Sequence, residues 1–302
     1  MTAELRERPR SAEELGAMLA GLTPSAQQAA AFRPLDPRPG DVVITPFGKC
    51  GTTMLQQMFH QLRMAGSGGD MDFDDISRVV PWLEMAILLP ETDVHADQRA
   101  APRGYKSHLH YEGLPKGMRY VVTLRDPHEA YMSMYHFFEG WLFEPGTIQP
   151  EAFMPIWARG GPSRVDYFTH LLSWWARRGE ADTLVMDYRD VIANKRGAIG
   201  RLAALAQLPL SDATAALVEV RTSRGFMLEH KDRFDDHLMR HMNARVLGLP
   251  VESSSSKVRS EDARRVPIPP SIAQEIDAMW AERIAPVTGL ANYAALAAEL
   301  AL

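Results

Sequence analysis

The segment Asp41-Val-Val-Ile-Thr-Pro-Phe-Gly-Lys-Cys-Gly-Thr-Thr53 joins a short apolar run to a turn of small residues and the start of a helical pattern. The apolar run predicts a buried strand, and the apolar periodicity over 52–64 predicts a helix directly after the turn. A loop between a strand and a helix N-terminus directs several backbone N–H groups at one point. Because phosphate binds at such points, this segment is the first candidate binding site.

The residue types in the turn suit an anionic ligand. Gly48 and Gly51 permit close approach to the backbone, Lys49 adds a positive charge, and Thr52 and Thr53 supply hydroxyl donors. The Walker loop of ATPases is G-x-x-x-x-G-K-[ST], with its lysine after the second glycine, whereas here Lys49 precedes Gly51. Taken alone, the same residues are also compatible with a turn that merely starts a helix.

Strand and helix patterns alternate along the rest of the chain. Three further segments predict strands: Tyr105-Lys106, Arg119-Tyr-Val-Val-Thr-Leu-Arg125 and Asp182-Thr-Leu-Val-Met-Asp187. Predicted helices follow the last two, one running through Phe138 and one over 191–206. This alternation predicts an α/β fold, a single P-loop-type domain with a central parallel β-sheet flanked by helices on both faces.

Two segments lie outside this alternation. Residues 1–40 predict an N-terminal arm with one helix, opened by Ser11 with Glu14 as a capping box, and then a proline-rich lead-in to a domain over 41–302. The segment 230–257 has a charge-rich start and four serines at 253–256, and it is the candidate for a mobile lid.

Composition restricts the possible partners and compartments. The 302 residues are 46% hydrophobic and carry a net charge of -5, so no overall basic field exists to hold nucleic acid. The single cysteine, Cys50, cannot form an intramolecular disulfide, and the polar start lacks the apolar core of a signal peptide, which together favour the cytoplasm. Since no stretch approaches roughly 20 uninterrupted apolar residues, we expect no transmembrane segment.

A second group of polar residues lies at the ends of the next predicted strands. In Arg125-Asp-Pro-His-Glu-Ala-Tyr-Met-Ser133, the arginine can grip phosphate oxygens with its planar fork, and the serine can donate from the following helix. In Tyr105-Lys-Ser-His108-Leu, the histidine has a side chain that can accept a proton near neutral pH. Without further information, Arg125 could equally form a surface ion pair, and His110 would be an equal candidate for the base.

Together these segments resemble the cytosolic-type sulfotransferases, which use 3'-phosphoadenosine 5'-phosphosulfate (PAPS) and release 3'-phosphoadenosine 5'-phosphate (PAP). The family's first loop is T-Y-P-K-S-G-T-T-W, and the resemblance assigns the 5'-phosphosulfate to Lys49, Cys50, Gly51, Thr52, Thr53 and Met54. Cys50 stands where serine is usual. Met54 stands where a tryptophan stacks on adenine, so we expect a differently built adenine site.

The other family motifs assign the remaining roles. The pattern R-N-P-x-D-x-x-x-S implies that Arg125 and Ser133 bind the 3'-phosphate. The K-x-H-L pattern implies that His108 is the catalytic base and that Lys106 positions the sulfonate, while Lys49 neutralises the departing phosphate oxygen. No metal is required.

Later segments are similar to the motifs that surround the nucleotide. Tyr188 corresponds to the Y-E-D tyrosine, Thr222 and Ser223 to the T-S-F segment with Arg224 in the phenylalanine position, and Lys257 and Arg259 to the R-K-G phosphate clamp. An arginine plane can still stack on a base. The resemblance spans roughly 41–280, and the family's dimer motif is not recognisable over 266–275.

The resemblance implies a sulfotransferase that moves a sulfonate group onto a hydroxyl of a small, largely apolar acceptor. The apolar runs Pro81-Trp-Leu-Glu-Met-Ala-Ile-Leu-Leu and Tyr135-His-Phe-Phe-Glu-Gly-Trp141 are candidates to line the acceptor pocket. A phenol, a hydrophobic alcohol, a sterol-like compound and a glycolipid head group all remain open.

Three other interpretations are weighed against this one. A P-loop kinase would need a Walker lysine and a carboxylate for Mg²⁺, for which Asp187 is available. A nucleotide-binding regulatory protein could have kept the cofactor site and lost transfer. His237 and His241, four residues apart, could contribute to a zinc site, but they lack a third ligand, and we expect no metal.

Overall fold

A parallel β-sheet lies at the centre of the protein, as the alternation of strands and helices predicts. The computed structural model describes residues 6–89, 91–160, 164–255, 257–258 and 267–301. Within these ranges the sheet has four strands, β1 (Val42–Ile44), β2 (Gly104–Lys106), β3 (Arg119–Leu124) and β4 (Thr183–Asp187). Their order is β2-β1-β3-β4, and every neighbouring pair is parallel.

Helices account for most of the remaining regular structure. The described helices are α1 (Ala12–Ala20), α2 (Ala26–Ala31), α3 (Thr52–Arg63), α4 (Ile76–Val79), α5 (Pro127–Phe138), α6 (Pro150–Ala158), α7 (Tyr167–Ala176), α8 (Tyr188–Ala193), α9 (Lys195–Ala206), α10 (Asp212–Arg221), α11 (Arg224–Glu229), α12 (His237–Leu247), α13 (Pro270–Arg283), α14 (Ala285–Thr288) and α15 (Tyr293–Glu299). None of these helices is long and apolar enough to cross a bilayer.

The two faces of the sheet are buried in two separate hydrophobic cores. Side chains alternate along a strand, so Val43 and Val122 enter a core with residues of α5, α6 and α7. Val42, Ile44 and Val121 enter the other core, with residues of α3, α9 and α10. The strands are therefore almost fully apolar, which is typical of a parallel sheet covered on both sides.

Two helical predictions need correction. The single helix predicted over 191–206 is two helices, α8 and α9, because Asn194 ends one and caps the next by accepting a hydrogen bond from the N–H of Gly197 at 3.0 Å. The arm contains a second helix, α2, which opens with a capping box formed by Ser25 and Gln28. Leu15 of the arm is fully buried in the core below α6.

The loop from β1 to α3 has a constrained backbone. Gly51 is the N-cap of α3 with φ 98°, and a Cβ atom there would lie 2.8 Å from Cδ2 of Tyr188. Lys49 also has positive φ, 69°. The hydroxyl of Thr123 in β3 donates to the carbonyl of Cys50 and so ties the turn to the sheet. Only glycine combines the required φ with the close approach of the Tyr188 ring.

We expect Gly51→Ala to lower the free energy of unfolding by about 2 kcal/mol, because it adds left-handed strain and a clash with Tyr188. Gly200→Ala in α9 is the matched control. A Cβ there meets nothing within 4 Å and sits in a helix, so that change should raise the same free energy by ~0.5–1 kcal/mol. Urea unfolding followed by circular dichroism measures both. Equal effects of the two substitutions would contradict the assignment of strain to Gly51.

Candidate active site

A cavity of about 890 Å³ opens where the carboxyl ends of the four strands meet. The loops after β1, β2 and β3 and the start of α8 after β4 all contribute to its wall. The predicted site residues that line it are Lys49, Gly51, Thr52, Thr53, Met54, Lys106, His108, Arg125, Ser133, Tyr188, Thr222, Ser223, Arg224 and Lys257. Arg259 lies outside the described residues.

Cys50 is the predicted loop residue that does not line the cavity. It is fully buried, its backbone N–H donates to the carbonyl of Phe47 at 3.0 Å, and burial raises the pKa of its thiol to about 12. The thiol is therefore protonated at neutral pH, and the residue shapes the turn from beneath.

Arg125 is fixed by three neighbours. Its guanidinium donates to the carbonyl of Lys49 at 2.9 Å and to a carboxylate oxygen of Glu129 at 3.1 Å, and it lies 4.7 Å from the ring centroid of Tyr188. Glu129 also pairs with Arg189, and both of these residues line the cavity. The R-N-P-x-D pattern has an acidic residue at the position of Glu129, whereas no motif indicated Arg189. Glu129 holds the fork of Arg125 in place before an anion arrives.

The imidazole of His108 is held in one tautomer. Its Nδ1 lies 2.7 Å from the carbonyl oxygen of Pro46, and since a carbonyl only accepts, Nδ1 carries the proton and Nε2 is the free acceptor. Burial, and then the nearby ammonium of Lys106, lower the pKa of this histidine well below its ordinary value. His108 is therefore neutral at pH 7. His110, the other sequence candidate, does not line the cavity and lies 3.9 Å from Glu112.

Three lysines, Lys49, Lys106 and Lys257, meet in the same part of the cavity. Lys106 lies with its Nζ 3.6 Å from the ring centroid of Trp82, and the Nζ of Lys49 lies 3.9 Å from that of Phe137. Burial, followed by the charge of Lys257, lowers the pKa of Lys49 to about 7 and that of Lys106 to about 8. The cavity thus holds several cations whose hydration has been largely removed, an arrangement that favours binding of an anion.

Asp236 supplies the negative charge within this lysine cluster. It pairs with Lys257 and lies 3.9 Å from the Nζ of Lys106. Burial opposes ionisation of its carboxyl, but the charges of Lys257 and Lys106 outweigh this effect and lower its pKa to about 2. Asp236 is the N-cap of α12 with φ 53°. Sequence reasoning missed it because an acidic residue before a helix is common and matches no motif.

One part of the cavity wall is built on the starts of α3, α8 and α11. Ser223 caps α11 by accepting the N–H of Phe226 at 3.2 Å, which leaves its hydroxyl hydrogen available. The hydroxyl of Thr222 instead donates to the carbonyl of Val218 at 2.7 Å. Met54 and Met227 provide apolar surface beside them. This part of the cavity therefore offers sulfur and aliphatic contacts to a bound molecule.

The opposite side of the cavity is apolar. Both apolar runs singled out in the sequence contribute to it, and α12 adds a further side chain. The residues are Trp82, Met85, Phe137, Phe138, Trp141 and Met239. Two of these rings contact the charged residues directly, since Trp82 lies against Lys106 and Phe137 lies against Lys49.

The carboxylate that a kinase would require is engaged elsewhere. Asp187 is buried, accepts the hydroxyl of Tyr293 at 2.6 Å and the N–H of Asp190 at 3.0 Å, and does not line the cavity. His237 and His241 contact each other with ring centroids 4.5 Å apart. Among the described residues, no group of three or more His, Cys, Asp or Glu side chains could hold a metal ion.

Comparison with known proteins adds independent information on the sequence. A family model described as "Sulfotransferase domain" matches residues 39–276. Sulfotransferase 1B1 of Canis lupus familiaris is 26% identical over 182 residues, which cover 58% of this chain and 62% of the canine protein. The chain therefore aligns with rather less than two thirds of that relative's length.

Solved structures show the same fold at low sequence identity. A crystal structure of retinol dehydratase in a complex with retinol and PAP aligns with a TM-score of 0.66 and 16% identity, covering 82% of each chain. Mouse sulfotransferase SULT7A1 complexed with PAP aligns with a TM-score of 0.59 and 16% identity, covering 86% of this chain and 90% of the mouse chain. With the family match extending over most of its length, the chain belongs to the sulfotransferase family.

Proposed function

We propose that the protein transfers a sulfonate group from PAPS to a hydroxyl of a small, largely apolar acceptor. The observation that carries this proposal is a neutral histidine with a free Nε2 that lines the same cavity as buried lysines, the loop from β1 to α3 and several aromatic side chains. Family membership supports the reaction type, and the PAP present in the two solved relatives supports the donor. The phosphates of the donor, its sulfonate group and the acceptor would each contact suitable residues in the same cavity.

The donor is held by its two phosphate ends. The backbone N–H groups and hydroxyls at the start of α3 bind the 5'-phosphosulfate, with Lys49 beside it. Arg125 and Ser133 bind the 3'-phosphate, for which Glu129 already orients the guanidinium. The part of the cavity wall at the starts of α3, α8 and α11 receives the adenine, with Tyr188 against the ribose and phosphate region.

Transfer occurs by in-line displacement at sulfur. The acceptor oxygen forms a new bond to sulfur while Nε2 of His108 takes its proton, and the bond from sulfur to the 5'-phosphate oxygen breaks with its electron pair on that oxygen. The products are a sulfate ester and PAP. Lys49 stabilises the charge on the departing oxygen, and Lys106 holds the sulfonate in line.

Two segments outside the loop and strand ends also have proposed roles. The segment 230–257 acts as a lid over the bound donor, since Asp236 and Lys257 near its ends both line the cavity and Ser255 donates to the carbonyl of Phe137 at 2.8 Å. Residues 1–40 form an arm to the domain over 41–302. A cytoplasmic location is part of the proposal, since the single cysteine, Cys50, is a free thiol, as is usual in a reducing compartment.

Calorimetric titration with PAP, with ATP and Mg²⁺ in a parallel sample, tests the donor site. We expect PAP to bind and Arg125→Ala to weaken it at least about tenfold, because the fork to the 3'-phosphate is lost. Arg201→Ala is the matched control, since that arginine is exposed on α9 away from the cavity. Binding of ATP with Mg²⁺ and not of PAP would replace this proposal with the kinase alternative.

Replacement of His108, the proposed base, should change the rate of transfer and not the affinity for PAP. We expect His108→Ala to lower the rate of sulfonate transfer from PAPS to a panel of phenols and alcohols by on the order of 10²–10⁴-fold, with PAP affinity unchanged. His110→Ala should retain the wild-type rate, because that ring lies outside the cavity. Equal loss in the two variants would remove His108 from the role of base.

The lysine pKa values predict how PAP binding depends on pH. In the empty cavity, Lys49 and Lys106, with pKa values of about 7 and about 8, are partly neutral near pH 8. A bound phosphate favours their charged forms and raises both values, so binding takes up protons. Affinity should therefore fall as pH rises from about 7 to about 9, by roughly tenfold per unit for each lysine that gains a proton.

Calorimetry in two buffers of different ionisation enthalpy measures this uptake. Lys49→Arg keeps the charge at every pH and should flatten the dependence. An affinity that stays constant across this range in the wild-type protein would show that both lysines are already charged when the cavity is empty.

A further inference from the structure

The N-terminus of α12 is capped by a residue from another part of the chain. Asp236 holds the N-cap position, where an aspartate usually accepts N–H groups of the first helical turn, but its side chain accepts none from this helix. The N–H of Leu238 donates instead to Oδ2 of Asp75 at 3.0 Å, while Oδ1 of Asp75 caps α4 by accepting the N–H of Ser77 at 2.7 Å. One carboxylate therefore caps two helices, and the carboxylate of Asp236 is not needed for capping.

The carboxylate of Asp236 lies in the lysine cluster. Its Oδ1 contacts the ammonium of Lys257 and lies 3.9 Å from the Nζ of Lys106. The side chains of Asp236, Lys106 and Lys257 are 4%, 2% and 9% exposed, so water screens their charges little. All three line the cavity together with Lys49. An internal anion thus already contacts cations that a phosphate or sulfonate group would need.

The backbone around Asp236 holds this carboxylate in place. Its φ of 53° lies in the left-handed region, which few residues other than glycine, asparagine and aspartate adopt. Phe234, two residues earlier, is fully buried in the core that contains residues of α3. The N–H of Lys257 donates to Oδ1 of Asp235 at 3.0 Å, which fixes the lysine to the same turn. Asp236 and Lys257 are therefore held against each other by their neighbours.

We propose that Asp236 is a positioning residue that competes with the anionic donor for Lys106 and Lys257, and so keeps donor affinity below the value that the lysines alone would give. The inference rests on the proposed function, which identifies the anion as PAPS or PAP. A bound anion is attracted by the lysines and repelled by the fixed carboxylate, and both effects are strong where little water is present. The consequence is faster release of PAP after transfer.

The variant Asp236→Asn tests this competition. Asparagine has nearly the same shape, adopts the left-handed region readily and lacks the charge. On the full-length protein at about pH 6, we expect calorimetry to show PAP binding about tenfold more tightly than in the wild type. Dissociation of PAP, measured by stopped flow, should slow by a similar factor. Loss of a merely structural ion pair would weaken binding, so the direction of the change separates the two roles.

The dependence of this gain on pH is a second measurement. The charge of Asp236 raises the pKa values of Lys49 and Lys106. Without it both lysines lose their protons at a lower pH, so the gain in affinity should shrink between about pH 6 and about pH 8. The other charged or titratable groups that face these residues are unchanged in the variant, and they are Asp75, Glu84, His108, Arg125, Asp235 and Lys257.

Two further variants control the result. Asp72→Asn removes the same charge at a fully exposed position outside the cavity, and it should leave PAP affinity unchanged because water and salt screen that charge. Asp236→Gly also suits the left-handed backbone and should reproduce the gain, which keeps the test decisive if Asp236→Asn does not fold. Melting temperatures show which variants are folded. Inorganic pyrophosphate is titrated alongside PAP as an anion without a nucleoside.

The outcomes distinguish this inference from the proposed function. Unchanged or weaker PAP binding in folded Asp236→Asn would overturn the competition while the donor site stands, and so would an equal gain in Asp72→Asn. If PAP binds to neither protein but pyrophosphate binds more tightly to Asp236→Asn, the donor assignment falls and the role of the internal anion stands. If neither anion binds to either protein, both fall.

Discussion

The rest of this site depends on one constraint, the burial of lysine ammonium groups in a single cavity. Lys49 and Lys106 lie against aromatic rings, and their lowered pKa values, about 7 and about 8, express the cost of that burial. Asp236 offsets part of the cost through its pairs with Lys257 and Lys106. The lowered pKa values show that nearby carboxylates offset this cost only in part, and a bound anion would offset more of it. The strand ends bring these residues together during folding, so the cavity is prepared for an anion before one binds.

The same environment determines the protonation state of His108. A low dielectric and a neighbouring ammonium both disfavour the imidazolium form, so the residue stays neutral where an isolated histidine would be partly protonated. The carbonyl of Pro46 then decides which nitrogen is free. In the proposed reaction, proton acceptance by this ring would become more favourable once the charge of a bound donor compensates the lysines. The strength of the proposed base would then depend on occupancy of the donor site.

Much of this architecture is accessible from the sequence because it depends on local pattern. The four strands and the loop to α3 have short-range signatures, and Arg125, Lys106 and His108 sit at strand ends, where a parallel sheet brings residues together. What escaped prediction depends on contacts that no local pattern encodes. Asp236 is set by the way α12 packs over the cavity. Glu129 is the exception, because its contact with Arg125 joins residues only four apart in sequence. The break at Asn194 was hidden because α8 and α9 both continue an apolar pattern, and a single capping side chain separates them.

Most residues that line the cavity lie inside the family match, and a few lie outside it. Its strand-end and helix-start residues lie inside the family match, where backbone geometry leaves few alternatives, as the left-handed turn at Gly51 illustrates. The apolar part of its wall includes Leu22, which comes from an arm that the match does not include. Side chains in such a wall can change without disturbing the sheet or the donor loop, because no strand register or helix cap depends on them. The apolar part of the wall can therefore vary between relatives while the loop and the strand-end residues stay the same.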